Sequence, residues 1–470
     1  MKYRSLKIIS ILILISLAIT YPDNVSQAQT ATPVRHVIII MMENHSFDNF
    51  FGIYPEMSNG SYARNISVPD NLIASHHINE LAPVPVGTFT TKDPTEGYIA
   101  YHKDWNNGSM NGFLYNSGPQ SMTYYTSAQL APEWDIAEQY ALADMYFASQ
   151  LTETAPNRLY SLAGFSTVIN DYGPPPYIPF NQSIFGELTK FGISWAYYIK
   201  QPSMGIGTLN YFTQIGRYSG HIQSWQDFMT ELYNGTLPDV AWLMPVDGGA
   251  VGYSQGPPSN ILKGELWLLY VVNAIESSPE WNSSVVFITY DEGGGYYDHV
   301  PPPVVNGTQL GERVPLIIVS PFAKEDYISN TILTHTSLLA FIDYNWKLPA
   351  LNPLVANSNI PLDAFDFNLS RKPIQFSASQ GFPLPNSISF SFNASNQSFA
   401  RLFPMQLQIS LQDLPYGRAG ISSITLESLG YAVYTKANSS YVPLYETTFF
   451  ALTVFFIQLA FIYYYTSKRR

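Results

Sequence analysis

The sequence contains no cysteine. Disulfides and thiolate metal sites are therefore excluded, and any metal must be held by carboxylate, amide, hydroxyl or imidazole groups. Charge is also scarce, at 12% of residues against roughly 25% in an ordinary soluble protein. What charge there is leans negative, with a net of −12. A nucleic-acid binder needs a basic surface that displaces counterions, so that class of partner is excluded. Few carboxylates also means few groups that must protonate as pH falls, which suits an acidic exterior. Aromatic residues, by contrast, are abundant, with 34 Tyr and 28 Phe among 470 residues. That is ample core for one large domain and a smaller one, and it rules out a disordered chain.

Two apolar runs stand near the ends. Lys2, Arg4 and Lys7 precede an apolar run over 8–19 and the small-residue site Ser26-Gln27-Ala28, which reads as a signal peptide over 1–28. Residues 447–465 carry no charge and are long enough to span a bilayer as a helix. Tyr463, Tyr464 and Tyr465 stand where an interfacial belt would lie, and Lys468, Arg469 and Arg470 mark 466–470 as a cytoplasmic tail. The expectation is a single-pass protein of the cell membrane with its body outside. Thirteen Asn-x-Ser/Thr sequons, from Asn24 to Asn438, fit an exported glycoprotein.

Short apolar runs at 37–42, 193–199, 240–244, 285–290 and 316–320 read as buried strands, and helical patterns at 264–275 and 336–346 lie between them. Strands alternating with helices predict an α/β fold, a mainly parallel sheet sandwiched by helices, over 32–350. From about residue 376 polar and apolar residues alternate at period two, which predicts a small β-domain over 372–441.

Three of the strands run into polar residues that sheet packing does not need. The first meets Glu43-Asn44-His45-Ser46, another meets Asp291-Glu292-Gly293-Gly294-Gly295, and the third meets Ser320-Pro321. Ligands of an open parallel sheet bind beyond the carboxyl ends of its strands. Glu43, Asn44, Asp291 and Glu292 would converge there as an oxygen-rich site for a hard divalent cation. One such acid alone is as well explained as a helix N-cap; two clusters together favour the metal.

Longer strings then become specific. Glu43-Asn44-His45-Ser46-Phe47-Asp48-Asn49-Phe50-Phe51-Gly52, His102-Lys103-Asp104-Trp105-Asn106, Thr154-Ala155-Pro156-Asn157-Arg158, Asp291 through Pro303, Gly311 through Phe322 and Thr334-His335-Thr336 occur in this order. Together they resemble the bacterial phospholipase C and acid phosphatase family of phosphoesterases, which is similar to the alkaline phosphatase superfamily. The resemblance covers about 34–346. It implies an alkaline-phosphatase-like fold, with Glu43, Asn44, Asp291 and Glu292 as ligands of a divalent metal ion of unknown identity. It implies Thr154 as nucleophile, attacking phosphorus to give a phosphothreonine, and His102 and His335 in contact with the phosphoryl group. His299 is a weaker candidate.

Taken without the resemblance, Thr154 before Ala-Pro-Asn reads as a turn or cap, and Thr152 is the alternative nucleophile. His45 is left out, because an extended chain would turn it to the opposite face. Arg158 and Arg313 either bind phosphate or pair with structural carboxylates. Two departures matter. Asn111 stands where relatives often carry Asp, and Tyr253-Ser254-Gln255-Gly256-Pro257-Pro258 replaces a Ser-Glu-His-Pro string, so one histidine is missing. The expected function is an extracellular phosphoester hydrolase, of acid phosphatase or phospholipase C type, acting on a phosphomonoester or a phospholipid. The alternative is an inactive glycosylated surface module on the same fold.

Overall fold

The computed structural model describes residues 30–54, 83–171, 177–204, 206–245, 252–376, 424–426 and 431–433. The expected signal peptide, membrane helix and tail lie outside these residues, as does nearly all of the expected β-domain. Among the described residues no helix is long and apolar enough to cross a membrane. Past Phe376 the described residues are two short strands, Ile424–Leu426 and Tyr431–Val433, paired antiparallel and belonging to a separate unit.

The main unit is built on an eight-stranded sheet. Its strands are β1 His36–Met42, β2 Ala141–Ala143, β3 Trp195–Ile199, β4 Ile222–Ser224, β5 Val240–Leu243, β6 Ser284–Tyr290, β7 Leu316–Val319 and β8 Tyr327–Ser329. Their order across the sheet is β8-β2-β7-β6-β1-β5-β3-β4. β1, β5, β6 and β7 are buried along their whole length, which is why each reads as a continuous apolar run. β1 lies between β5 and β6 and is parallel to both.

Helices cover both faces. They include α1 Phe47–Phe51, α2 Tyr98–Trp105, α3 Ser127–Gln139, α4 Thr154–Ala163, α5 Ile261–Ser277 and α6 His335–Trp346. Phe287 of β6 meets Phe341 of α6 with ring centroids 5.2 Å apart, and Ser161 of α4 touches the sulfur of Met41. Phe287 and Met41 share a face, because Met41 stands opposite Thr289 and side chains alternate along a strand. Tyr290 points the other way, toward Glu133 of α3, and α3 packs on α5. The expected α/β sandwich is present, with a mixed sheet.

The mixing corrects one expectation. β7 runs antiparallel to β6, with Leu316 opposite Thr289 and Val319 opposite Val286. Ser320 therefore lies at the far edge, where its hydroxyl donates to the Ser284 carbonyl at 2.8 Å. Glu312 and Arg313, which precede β7, arrive at the edge where β1 and β6 end. A continuous apolar run carries no sign of strand direction, so the sequence could not show this.

Candidate active site

The sheet register places the two acidic clusters side by side. Met42 pairs with Tyr290, so Glu43 and Asp291 leave neighbouring strands together. Asn44 then adopts a left-handed backbone (φ 63°), and its N–H donates to Asp291 Oδ1 at 3.2 Å. Ser254 donates to Glu43 Oε2 at 2.7 Å, and Tyr101 of α2 donates to Glu292 Oε2, also at 2.7 Å. Arg158 bridges the clusters, 2.8 Å from Asp291 Oδ2 and 3.5 Å from Glu43 Oε1. It is thus a partner of the ligand carboxylates themselves.

Thr154 opens α4 and faces this group, its hydroxyl 3.5 Å from Asn44 Oδ1. Thr152 is buried and donates to the Ile169 carbonyl. The helix start thus separates the two threonines: one is spent on a turn, the other is presented to the ligand cluster.

The three candidate histidines are placed differently. His102, half-buried on α2, donates from Nδ1 to the Tyr98 carbonyl at 2.7 Å and packs on the Tyr98 ring. That bond makes Nε2 the basic nitrogen. His335 is fully buried beneath Asp291. Its Nε2 donates to the Asp291 carbonyl and its Nδ1 accepts from Tyr146, both at 2.7 Å. Burial pushes its pKa down to about 4, so the ring is neutral and both nitrogens are engaged by protein. His299 bonds Asp48 at 2.6 Å, and Arg313 bonds both Asp48 and Asp298. Asp48, Asp298 and His299 bring three ligand atoms within 4.8 Å of one another, yet Arg313 already supplies positive charge there. This group ties α1 to the turn after β6. His45 is buried as well, stacked on Phe50, and burial lowers its pKa to about 4. The extended geometry expected at that point does not continue, since Asn44 turns the chain.

Electrostatics test whether the residues suit a cation. Burial raises the pKa of Glu292, and the charges of Glu96 and Asp291 add to it. Burial also raises Glu96, with Asp93, Glu43 and Asp291 adding. Glu292 Oε1 is buried with no hydrogen-bond partner. An orphaned carboxylate oxygen among crowded acids, whose offered ligand atoms are all oxygens, fits a hard divalent cation even with Arg158 beside them. Glu43, Asn44, Asp291 and Glu292 are the residues that would hold it.

Sequence reasoning missed three contributors. Ser254 lay inside a string already singled out, and Tyr101 immediately precedes another. Glu96 accepts from Asn44 Nδ2 at 2.5 Å, and nothing in its local sequence marks it. The missing histidine also has a physical counterpart. A Cβ on Gly256 would stand 2.8 Å from Glu43 Oε2, so no side chain fits there unless Glu43 moves. Asn111, the other departure, accepts from Asn106 at an exposed site.

Glu312 carries a stability prediction. Both its carboxyl oxygens are buried without a hydrogen-bond partner, and burial, then Asp104 and Asp298, hold its pKa well above the ordinary 4.5. The folded chain therefore binds a proton that the unfolded chain releases, and stability falls as pH rises above 4.5. Glu312→Met is expected to remove that dependence and to stabilise the chain at neutral pH by about 1–3 kcal/mol. Thermal melts of both proteins from acid to neutral pH check it. Parallel curves would contradict it.

The chain is similar to several known proteins. The family model described as "Phosphoesterase family" matches residues 34–349. A non-hemolytic phospholipase C from Burkholderia pseudomallei is 26% identical over 422 residues, an alignment covering 72% of this chain and 59% of that protein. Phospholipase C A from Mycobacterium tuberculosis is 27% identical over 391 residues, covering 68% of this chain and 74% of that protein. The solved structure of an alkaline phosphatase superfamily protein from Vibrio parahaemolyticus aligns with a TM-score of 0.34 at 8% identity, covering 73% of this chain and 74% of that one. With its family motifs gathered at one sheet edge, the chain belongs to the Phosphoesterase family of phosphoric ester hydrolases.

Proposed function

We propose that this protein is a metal-dependent phosphoric ester hydrolase of phospholipase C type that works through a phosphothreonine at Thr154. The observation that carries the reading is the Thr154 hydroxyl, 3.5 Å from Asn44 Oδ1, at the mouth of the Glu43–Asn44–Asp291–Glu292 cluster. When bound, a divalent cation supplies charge neutralisation for the hydroxyl and the phosphoryl oxygens. The chain's own residues do the rest. Glu43, Asn44, Asp291 and Glu292 are held in place by Ser254, Glu96, Arg158 and Tyr101. Thr154 sits at the start of a ten-residue helix, whose partial positive end favours a deprotonated oxygen. Its oxygen attacks phosphorus, the bond to the leaving alcohol breaks, and water later cleaves the phosphothreonine. His102, with Nε2 as its basic nitrogen, is assigned to proton transfer with the leaving alcohol or the water. His335 acts beneath the site by fixing the Asp291 backbone.

Two exposed isoleucines favour a lipid over a soluble monoester. Ile169 (54% exposed) belongs to the segment whose carbonyl binds Thr152 and whose Asp171 accepts from the Ala155 N–H, next to Thr154. Ile99 (69% exposed) follows Tyr98, whose N–H donates to Asn170. An apolar rim beside the nucleophile suits a phosphoester with an apolar alcohol. The catalytic unit is placed outside the cell on the charge pattern of the end segments, with residues 447–465 as its anchor. The test is product analysis on phosphatidylcholine and a chromogenic phosphomonoester. Phosphocholine released faster than inorganic phosphate is the expected result. Turnover of the monoester alone would assign the chain to the phosphatase type.

A further inference from the structure

Asparagine is an ambiguous ligand. Its amide ends in one acceptor and one donor of similar size, and a half-turn about χ2 exchanges them. Only the oxygen can serve a hard cation. At Asn44 the two polar groups that meet the amide differ in what they demand. Thr154 Oγ1, near Oδ1, is a hydroxyl that donates or accepts, so it does not choose between the ends. Glu96 does choose. Its Oε1 lies 2.5 Å from Nδ2 and accepts that N–H. The NH₂ end is thereby held at Glu96 and the carbonyl is turned toward Thr154.

We infer that Glu96 is a positioning residue of this site, fixing Asn44 with its oxygen facing the metal position and its nitrogen facing away. The inference rests on the metal-dependent reading proposed above. Glu96 itself immediately precedes Gly97, the cap of α2, and that helix also delivers Tyr101 to Glu292. One segment thus orients a ligand from each strand: Asn44 after β1 and Glu292 after β6. Without Glu96 the amide can turn its nitrogen to the cation, and the ligand is lost in that rotamer.

The test uses the full-length protein and calorimetric titration with Mn²⁺, Mg²⁺, Ca²⁺ and Zn²⁺ in turn. For whichever ion binds, Glu96→Ala is expected to weaken affinity by about 10- to 100-fold, the usual effect of losing a partner that orients a ligand. Glu96→Gln, which offers both an acceptor and a donor, is expected to fall between. The melting temperature of metal-free Glu96→Ala should equal or exceed that of the wild type, since a half-buried carboxyl crowded by other acids is gone. That separates lost affinity from lost fold. On an Asn44→Ala background, Glu96→Ala should have no further effect on affinity. Unchanged affinity in Glu96→Ala, or full additivity of the two losses, overturns the inference while leaving the metal reading intact. A wild-type protein that binds none of the four ions overturns the metal reading, and this inference with it.

Discussion

Thr154→Ala is expected to lower kcat on any phosphoester by roughly 10⁴-fold or more, the scale seen when a nucleophile acting as part of a catalytic unit is removed. The geometry sets the prediction apart from an ordinary helix-start substitution. Thr154 is half-buried, its side chain caps nothing, and α4 takes its N-cap from Glu153, which makes no side-chain cap bond. Folding should therefore be nearly unaffected, and the stability should stay within about 0.5 kcal/mol of the wild type. Thr154→Ser keeps the hydroxyl and should retain most of the activity. Thr152→Ala should do the reverse. It removes a buried bond to the Ile169 carbonyl, so it should cost about 1 kcal/mol of stability and leave chemistry possible. Steady-state kinetics and melts on the three variants separate these outcomes. Activity lost in Thr152→Ala and kept in Thr154→Ala would move the nucleophile.

Removing divalent metal should abolish turnover and lower the melting temperature together. Glu43, Asn44, Asp291 and Glu292 meet at one strand edge with Glu96 beside them, and Arg158 is bonded to two of them. A metal present at 100 times its dissociation constant adds about 2.7 kcal/mol to the folded state. Chelation should therefore lower the melting temperature by several degrees, and readdition should restore both stability and rate. Glu292→Gln supplies a crossed signature. It removes a buried carboxyl whose ionisation the site disfavours and whose Oε1 is orphaned, so the metal-free variant should melt at or above the wild type. It should nonetheless gain less from added metal and turn over poorly. A variant less stable without metal, but normally stabilised and active with it, would remove Glu292 from the ligand set.

Much of this arrangement was legible in the sequence, for reasons that can be stated. β1, β5 and β6 are buried on both faces, so each appears as an unbroken apolar run, and the polar residues that follow β1 and β6 have no packing role to hide behind. The register of β1 against β6 then follows from ordinary parallel pairing. Other features had no local signal. β2, β4 and β8 are three residues each, too short to show a period. The direction of β7 depends on its neighbours, and that reversal is what brings Glu312 and Arg313 to the site edge. Individual side chains were harder still. His335 and His102 both follow from the family strings, yet one lies buried beneath Asp291 and the other sits half-exposed on α2. Glu96 is distant in sequence from every ligand and reaches Asn44 only through the fold. Glu153-Thr154 and Ile169–Asp171 also meet only in three dimensions, so the apolar rim beside the nucleophile could not be read from spacing.

The central claim is a covalent phosphothreonine, and acid quenching during turnover tests it most directly. The protein is mixed with excess phosphatidylcholine, stopped in acid on the millisecond scale, digested and examined by mass spectrometry. The account predicts a phosphorylated peptide on which Thr154 carries phosphocholine, present in the wild type, absent in Thr154→Ala and absent after chelation. A wild-type protein that turns over under the same conditions with no modified Thr154 at any time point, or with the modification on another residue, would contradict it.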